Sequence, residues 1–113
     1  MTTLENLKAI CEAKSGAAFS LFAWQQNPEA EAWGVITLDG QAAAVWGDGA
    51  MQEQGLEGSA HLFVRNLTTG APQGVQEALA EAGLSWRLDD VIYEPDSRIL
   101  HYVWIWQEWG GVE

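Results

Sequence analysis

The residues of this chain that could do chemistry are two histidines, one cysteine, a few serines and sixteen carboxylates. His101 sits between Leu100 and Tyr102 in an apolar run. A histidine in that setting is ordinarily a hydrogen-bonded core or interface group, not a ligand or a base. His61 alternates with Ala60 and Leu62 on a second strand-like run and can lie near His101. Two imidazoles without a placed carboxylate do not make a metal site. Asp89-Asp90 falls inside a strand pattern, so the two side chains are expected on opposite faces and not as an acid–base pair. Gly47-Asp48-Gly49 has the flavour of a phosphate loop, but no lysine follows. The same stretch fails as a calcium loop, because Glu53 stands where glycine is needed. Ser15, Ser20, Ser59, Ser85 and Ser97 lack a nucleophile-elbow context, and Cys11 falls on the apolar stripe of a helix, as plain core. These residues make no catalytic constellation. We expect neither enzymatic activity nor a cofactor or metal.

The elements that would carry a function of another kind are organised around Arg98 to Trp106. That stretch is rich in β-branched and aromatic residues and holds neither glycine nor proline, as strands do. Leu100, Tyr102, Trp104 and Trp106 share one face; Ile99, Val103 and Ile105 share the other, with His101 the one interruption. With no polar face, the strand is expected to be covered on both sides, by its own core and by a helix or neighbouring subunit. Upstream, Leu4, Leu7, Ile10 and Cys11 have helical spacing, with a capping box from Thr2 or Thr3 and Glu5, and a stop at Ser15-Gly16. A strand over 17–26 ends at Asn27-Pro28. Asp39-Gly40 between two apolar runs, 33–38 and 41–46, predicts a tight hairpin. Residues 47–58 read as a long acidic loop carrying Asp48, Met51, Glu53 and Glu57, and a strand resumes over 59–67. Val75, Ala78, Leu79 and Ala82 stripe a second helix that begins near Pro72 and stops at Gly83. A last hairpin pairs 86–93 with the aromatic strand.

Composition limits the partners. The chain has 113 residues, 16 acidic against 5 basic, and a formal net charge of −11. Such a chain repels a phosphate backbone, so binding nucleic acid through Lys and Arg is excluded as an ordinary mode. The acidity suits either a mimic of DNA or the lining of a passage through which DNA slides. A single cysteine excludes an internal disulfide. No stretch has the ~20 apolar residues of a membrane span, and no basic-then-apolar leader opens the chain, so synthesis in a cytosol is expected. Seven tryptophans crowd this short sequence. Each buries ~150–250 Å², and we expect at least two to be buried only when subunits meet.

The whole order of elements resembles the tail-completion or tail-terminator proteins of long-tailed bacteriophages and their head–tail joining relatives. The resemblance runs from the helix at 2–14 through the strand at 17–26, the turn at Asp39-Gly40 and the loop at 47–58. It continues through His61-Leu-Phe-Val-Arg-Asn-Leu67, the helix at 75–82 and the final hairpin ending Tyr102-Val-Trp-Ile-Trp106. It implies a non-enzymatic ring subunit, a hexamer, that caps the tail tube, touches the tube protein and the head connector, and lets DNA pass unbound. Its place is the tail or neck of the virion, assembled in the host bacterial cytoplasm. The alternative is an acidic DNA mimic of the anti-restriction or anti-CRISPR type. The scatter of acids over loops, turns and helix faces favours the ring. A third reading is a ligand- or peptide-binding domain with a pocket from the last hairpin.

The expectations are therefore a single α+β domain over 1–113 with an antiparallel or mixed sheet of about six strands and two helices packed on it, ordered α-β-β-β-β-α-β-β. Tyr102, Trp104, Trp106, Trp86 and Trp24 are expected at the subunit interface. Asp48, Met51, Glu53 and Glu57 are expected in the assembly loop or lumen.

Overall fold

The computed structural model describes residues 2–23, 30–41, 46–47, 50–51, 55–65 and 69–109; for 2, 3, 41, 46, 47, 50, 51 and 109 the backbone alone is described. The elements in order are α1 (Thr2–Ser15), β1 (Ala18–Leu21), β2 (Ala32–Gln41), β3 (Trp46–Gly47), β4 (Ala50–Met51), β5 (Gly55–Val64), α2 (Ala71–Glu81), β6 (Ser85–Glu94) and β7 (Ile99–Trp109). Five strands form a mixed sheet in the order β1-β2-β5-β7-β6, and β3 pairs with β4 in a separate ribbon. β1 runs parallel to β2, and the other contacts in the sheet are antiparallel. The chain folds as an α+β domain with both helices packed on the sheet.

α1 forms as its spacing predicts. Leu4, Leu7 and Cys11 are buried, Ile10 packs against them, and Lys8 pairs with Glu12 at 3.3 Å. The expected caps, Thr2 and Thr3, fall on side chains outside those described. α2 begins with Pro72 in its first turn and buries Val75, Ala78 and Leu79. It ends in a Schellman arrangement: Gly83 N–H donates to Ala80 O (3.0 Å), Leu84 N–H donates to Leu79 O (3.1 Å), and Leu84 folds back into the core. The two helices pack along each other, with α1 over β1 and β2 and α2 leaning toward β6. Under them lie Phe19, Ile36, Ala60, Leu62, Val64, Trp104 and Trp106, one continuous apolar face of the sheet.

The tight hairpin expected at Asp39-Gly40 does not form. β2 runs on through both residues to Gln41 and stays paired with β5, with its register shifted between Leu38 and Gly40. Asp39 is held there by hydroxyls of both strands, accepting from Thr37 Oγ1 (2.7 Å) and Ser59 Oγ (2.5 Å). Gly40 takes a φ of 154°, which absorbs the irregularity. Asp-Gly thus marks a bulge here instead of a turn. Residues 42–45 lie outside the described residues. The long loop is also shorter than expected, because Gly55 to Gly58 already belong to β5. β1 stops at Leu21, five residues before the expected end.

Candidate functional site

The sheet has two faces and two edges. On the face away from the core cluster, Trp33, Phe63 and His101 line up across β2, β5 and β7. Trp33 stacks on Phe63 (centroids 5.4 Å apart), and Phe63 stacks on His101 (4.3 Å). The Arg65 guanidinium lies 4.6 Å over Trp33 and donates to Ala30 O. His61 Nδ1 and His101 Nε2 approach to 3.0 Å, as their placement on neighbouring strands allows. Burial lowers the pKa of both rings; His101 lowers that of His61 further while Asp39 opposes, and Glu94 and Asp90 oppose the shift at His101. The two rings thus stay neutral near pH 7, one donating to the other. Among the described residues no group of three or more His, Cys, Asp or Glu could hold a metal. Burial, with help from Glu12, pushes the Cys11 thiol up to about 12, so it is no nucleophile at neutral pH.

Two small clefts are lined by described residues. One of about 150 Å³ lies at the root of β6, between Trp86, Arg87, Ile105 and Gln107. Another of about 300 Å³ is lined by small residues such as Ser15, Ala18, Ala32 and Thr69.

The unusual feature is β6. It forms one edge of the sheet, it is ten residues long, and every residue in it is exposed. Pairing with β7 sets Trp86 opposite Trp106, Leu88 opposite Trp104, Val91 opposite Tyr102 and Tyr93 opposite Leu100. These four side chains therefore continue the core face of the sheet, but they stand beyond the cover of the helices. Trp86, Leu88, Val91, Ile92 and Tyr93 are between 37% and 50% exposed. The register shifts between Leu88 and Asp90. That bulge is why Leu88 and Val91, three apart, face the same way. It also breaks the simple alternation expected of Asp89 and Asp90: Asp89 turns back to an ion pair with Arg87, and Asp90 Oδ1 accepts from Val91 N–H at 2.8 Å.

The expected interface residues separate accordingly. Trp104 and Trp106 are fully buried within a single chain, so they belong to its own core, which corrects their assignment to the subunit interface. Trp104 stacks on Tyr102 (5.5 Å) and donates from Nε1 to Gln76 Oε1 (3.3 Å). Tyr102 is half-buried at the margin of that core, and Trp86 is exposed on β6. Trp24, Asp48 and Glu53 lie outside the described residues, and for Met51 only the backbone in β4 is described. Glu57 is not in a loop: it sits half-buried in β5 and accepts from Gln107 Nε2 at 2.9 Å. The second face of β7 is covered only in part, with His101, Val103 and Ile105 all half-buried.

Sequence reasoning missed Leu88, Val91, Ile92 and Tyr93 as surface residues. The signal was present: a strand with apolar groups of both parities, interleaved with Arg87, Asp89, Asp90 and Glu94. Phe22 was missed as well. No protein-family model matches the sequence, and no curated protein matches it. No described helix is long and apolar enough to cross a membrane.

Proposed function

We propose that this chain is a non-enzymatic structural subunit that joins others through the β6 edge, forming a ring of the kind that ends a phage tail tube beneath the head connector. The observation that carries the reading is the overhang of Trp86, Leu88, Val91 and Tyr93, an apolar strip attached to a buried core and left outside the helices. A long, exposed, apolar sheet edge is a liability that a protein keeps when something pairs with it or covers it. The order of elements supports the tail-terminator reading, and a net charge of −11 suits a ring around passing DNA. In that setting the partners are further copies of the chain, the tube protein and the connector, and the location is the tail or neck of the virion. The DNA-mimic reading is less well supported, since the described carboxylates are scattered over both helices, the strands β2, β5, β6 and β7 and the connecting segments. Electron microscopy of the protein mixed with purified tail tubes tests the proposal. Rings at tube ends support it; bare tube ends at saturating protein refute the tail assignment.

A further inference from the structure

The described large apolar side chains that stand exposed fall at two places on opposite edges of the sheet. One is β6. The other is Phe22, 54% exposed and directly after β1. Phe22 has a φ of 68°, and Ala23 N–H donates to Leu21 O across it at 2.7 Å, a γ-turn of the strained hand. A bulky residue in that conformation costs free energy, and here it leaves Phe22 exposed at the end of the edge strand.

The two places lie at the same height. Following the register across the sheet, Leu21 pairs with Ile36, Ile36 with Ala60, Ala60 with Trp104, and Trp104 with Leu88. One row thus runs from the residue before Phe22 to the middle of the β6 strip. β1 runs antiparallel to β6, so Phe22, one residue past that row, is level with Arg87 through Thr37, Ser59 and Ile105. A copy displaced sideways, with no slip along the strands, brings its Phe22 between Trp86 and Leu88 of the next copy. We propose that this is the subunit contact: Phe22 of one copy seats on the Trp86–Leu88 end of the β6 strip of its neighbour, head to tail. The inference rests on the ring reading only for the closure of the ring; head-to-tail contacts otherwise give open filaments.

Three observations favour a second copy in this orientation. Pairing β6 with β6 of another copy over its full length would set Asp89 against Asp90 twice at the centre, and like charges directly opposite are destabilising. The helix beside β1 is the less acidic partner: α1 carries Lys8 and Lys14 against Glu5 and Glu12, whereas β6 carries Arg87 against Asp89, Asp90 and Glu94. Finally, the edges are built for side-chain contact more than for a continuous ladder. The Phe19 amide donates to Glu12 Oε2 at 3.0 Å and the Val91 amide to Asp90, so each edge already has one N–H occupied. Trp86, Leu88, Val91 and Tyr93 each expose half or less of their surface, a patch smaller than the ~800 Å² of one side of a standard interface. That area fits a contact that forms at high local concentration.

Paired cysteines test the contact. Cys11 is fully buried and stays inert, so Phe22→Cys and Leu88→Cys can be joined selectively by a short bis-maleimide. Both sites are exposed, and unchanged thermal unfolding is verified first; Trp86→Cys, on the other side of the Phe22 level, replaces Leu88→Cys if that variant misfolds. The proposal predicts a dimer band from the mixed single variants, a ladder of multimers from the double variant, and monomer from either single variant alone. Dimerisation of Leu88→Cys by itself overturns the proposal, as does the absence of product from the mixture at the highest soluble concentration. Rings visible by microscopy without the Phe22–Leu88 cross-link overturn this contact and leave the ring reading standing. Cross-linked open chains that never close support the contact and count against the ring.

Discussion

Trp104 and Trp86 lie one strand apart, and their truncation should have opposite consequences. Trp104 is fully buried in the single chain, stacked on Tyr102 and bonded to Gln76. Removing the indole empties a site walled by β5, β7 and the helices; Trp→Ala changes of this kind cost about 3–5 kcal/mol. For a chain of 113 residues, the unfolding entropy near the midpoint is about 0.24 kcal/mol/K, so each kcal/mol shifts Tm by about 4 °C. Trp104→Ala should therefore melt roughly 12–20 °C below the parent. Trp86 keeps over a third of its surface in water. Trp86→Ala forfeits the remaining contact with Trp106 and should lower Tm by only a few degrees, about 1 kcal/mol. The assay is near-ultraviolet circular dichroism on heating at a concentration where the protein is monomeric, followed by sedimentation of both variants at high concentration. The expected outcome is a destabilised Trp104→Ala and a stable, poorly associating Trp86→Ala. A Trp104→Ala monomer that melts with the parent but fails to associate would refute the reasoning and return Trp104 to the interface.

Gly58 faces Trp106 across the β5–β7 pair, and a β-carbon there would run into the indole and the Thr37 carbonyl. Gly58→Ala should cost about 1–3 kcal/mol in urea unfolding, and part of that should return in the Trp106→Leu background. The His61–His101 pair should make stability pH-dependent. Both folded pKa values lie below the ordinary 6.5, so the unfolded chain binds protons more readily than the folded one. The contribution is complete above that value and is lost as the pH falls through the folded pKa values. A His61→Gln/His101→Gln variant should flatten the slope of Tm against pH below about 6.5. Arg98 closes the β6–β7 turn at a φ of 60°. Arg98→Gly relieves that strain and should leave Tm equal or raise it by up to about 4 °C in a thermal melt.

Much of the framework was legible because it rests on local patterns. The stripe Leu4-Leu7-Cys11, the stop at Gly16, Pro72 near the start of the second helix and Gly83 at its end each satisfy one local rule and appear as expected. A mixed sheet carrying two helices and the nearness of His61 to His101 followed from alternation, although the sheet has five strands where about six were expected. Three features did not follow, each for a physical reason. Asp39-Gly40 has the composition of a turn, but Ser59 on the neighbouring strand supplies a hydroxyl that holds Asp39 in the ladder. Trp104 and Trp106 were assigned to a subunit contact because β7 is apolar on both faces; its central place between β5 and β6, with helices over the tryptophan side, buries them in one chain. The edge position of β6 depends on strand order, which no local pattern encodes. The apolar residues of the last hairpin therefore read alike, although those on β7 fill the core and those on β6 are left outside.

The central claim is that the apolar edge of β6 exists to be covered by another copy. Sedimentation velocity of the parent and of Leu88→Glu over a wide concentration range tests it most directly. The account predicts that the parent rises from 12.4 kDa to a multiple of that mass while Leu88→Glu stays at 12.4 kDa with the same fold. A parent that remains at 12.4 kDa up to about 1 mM, an association weaker than about 4 kcal/mol, would contradict it.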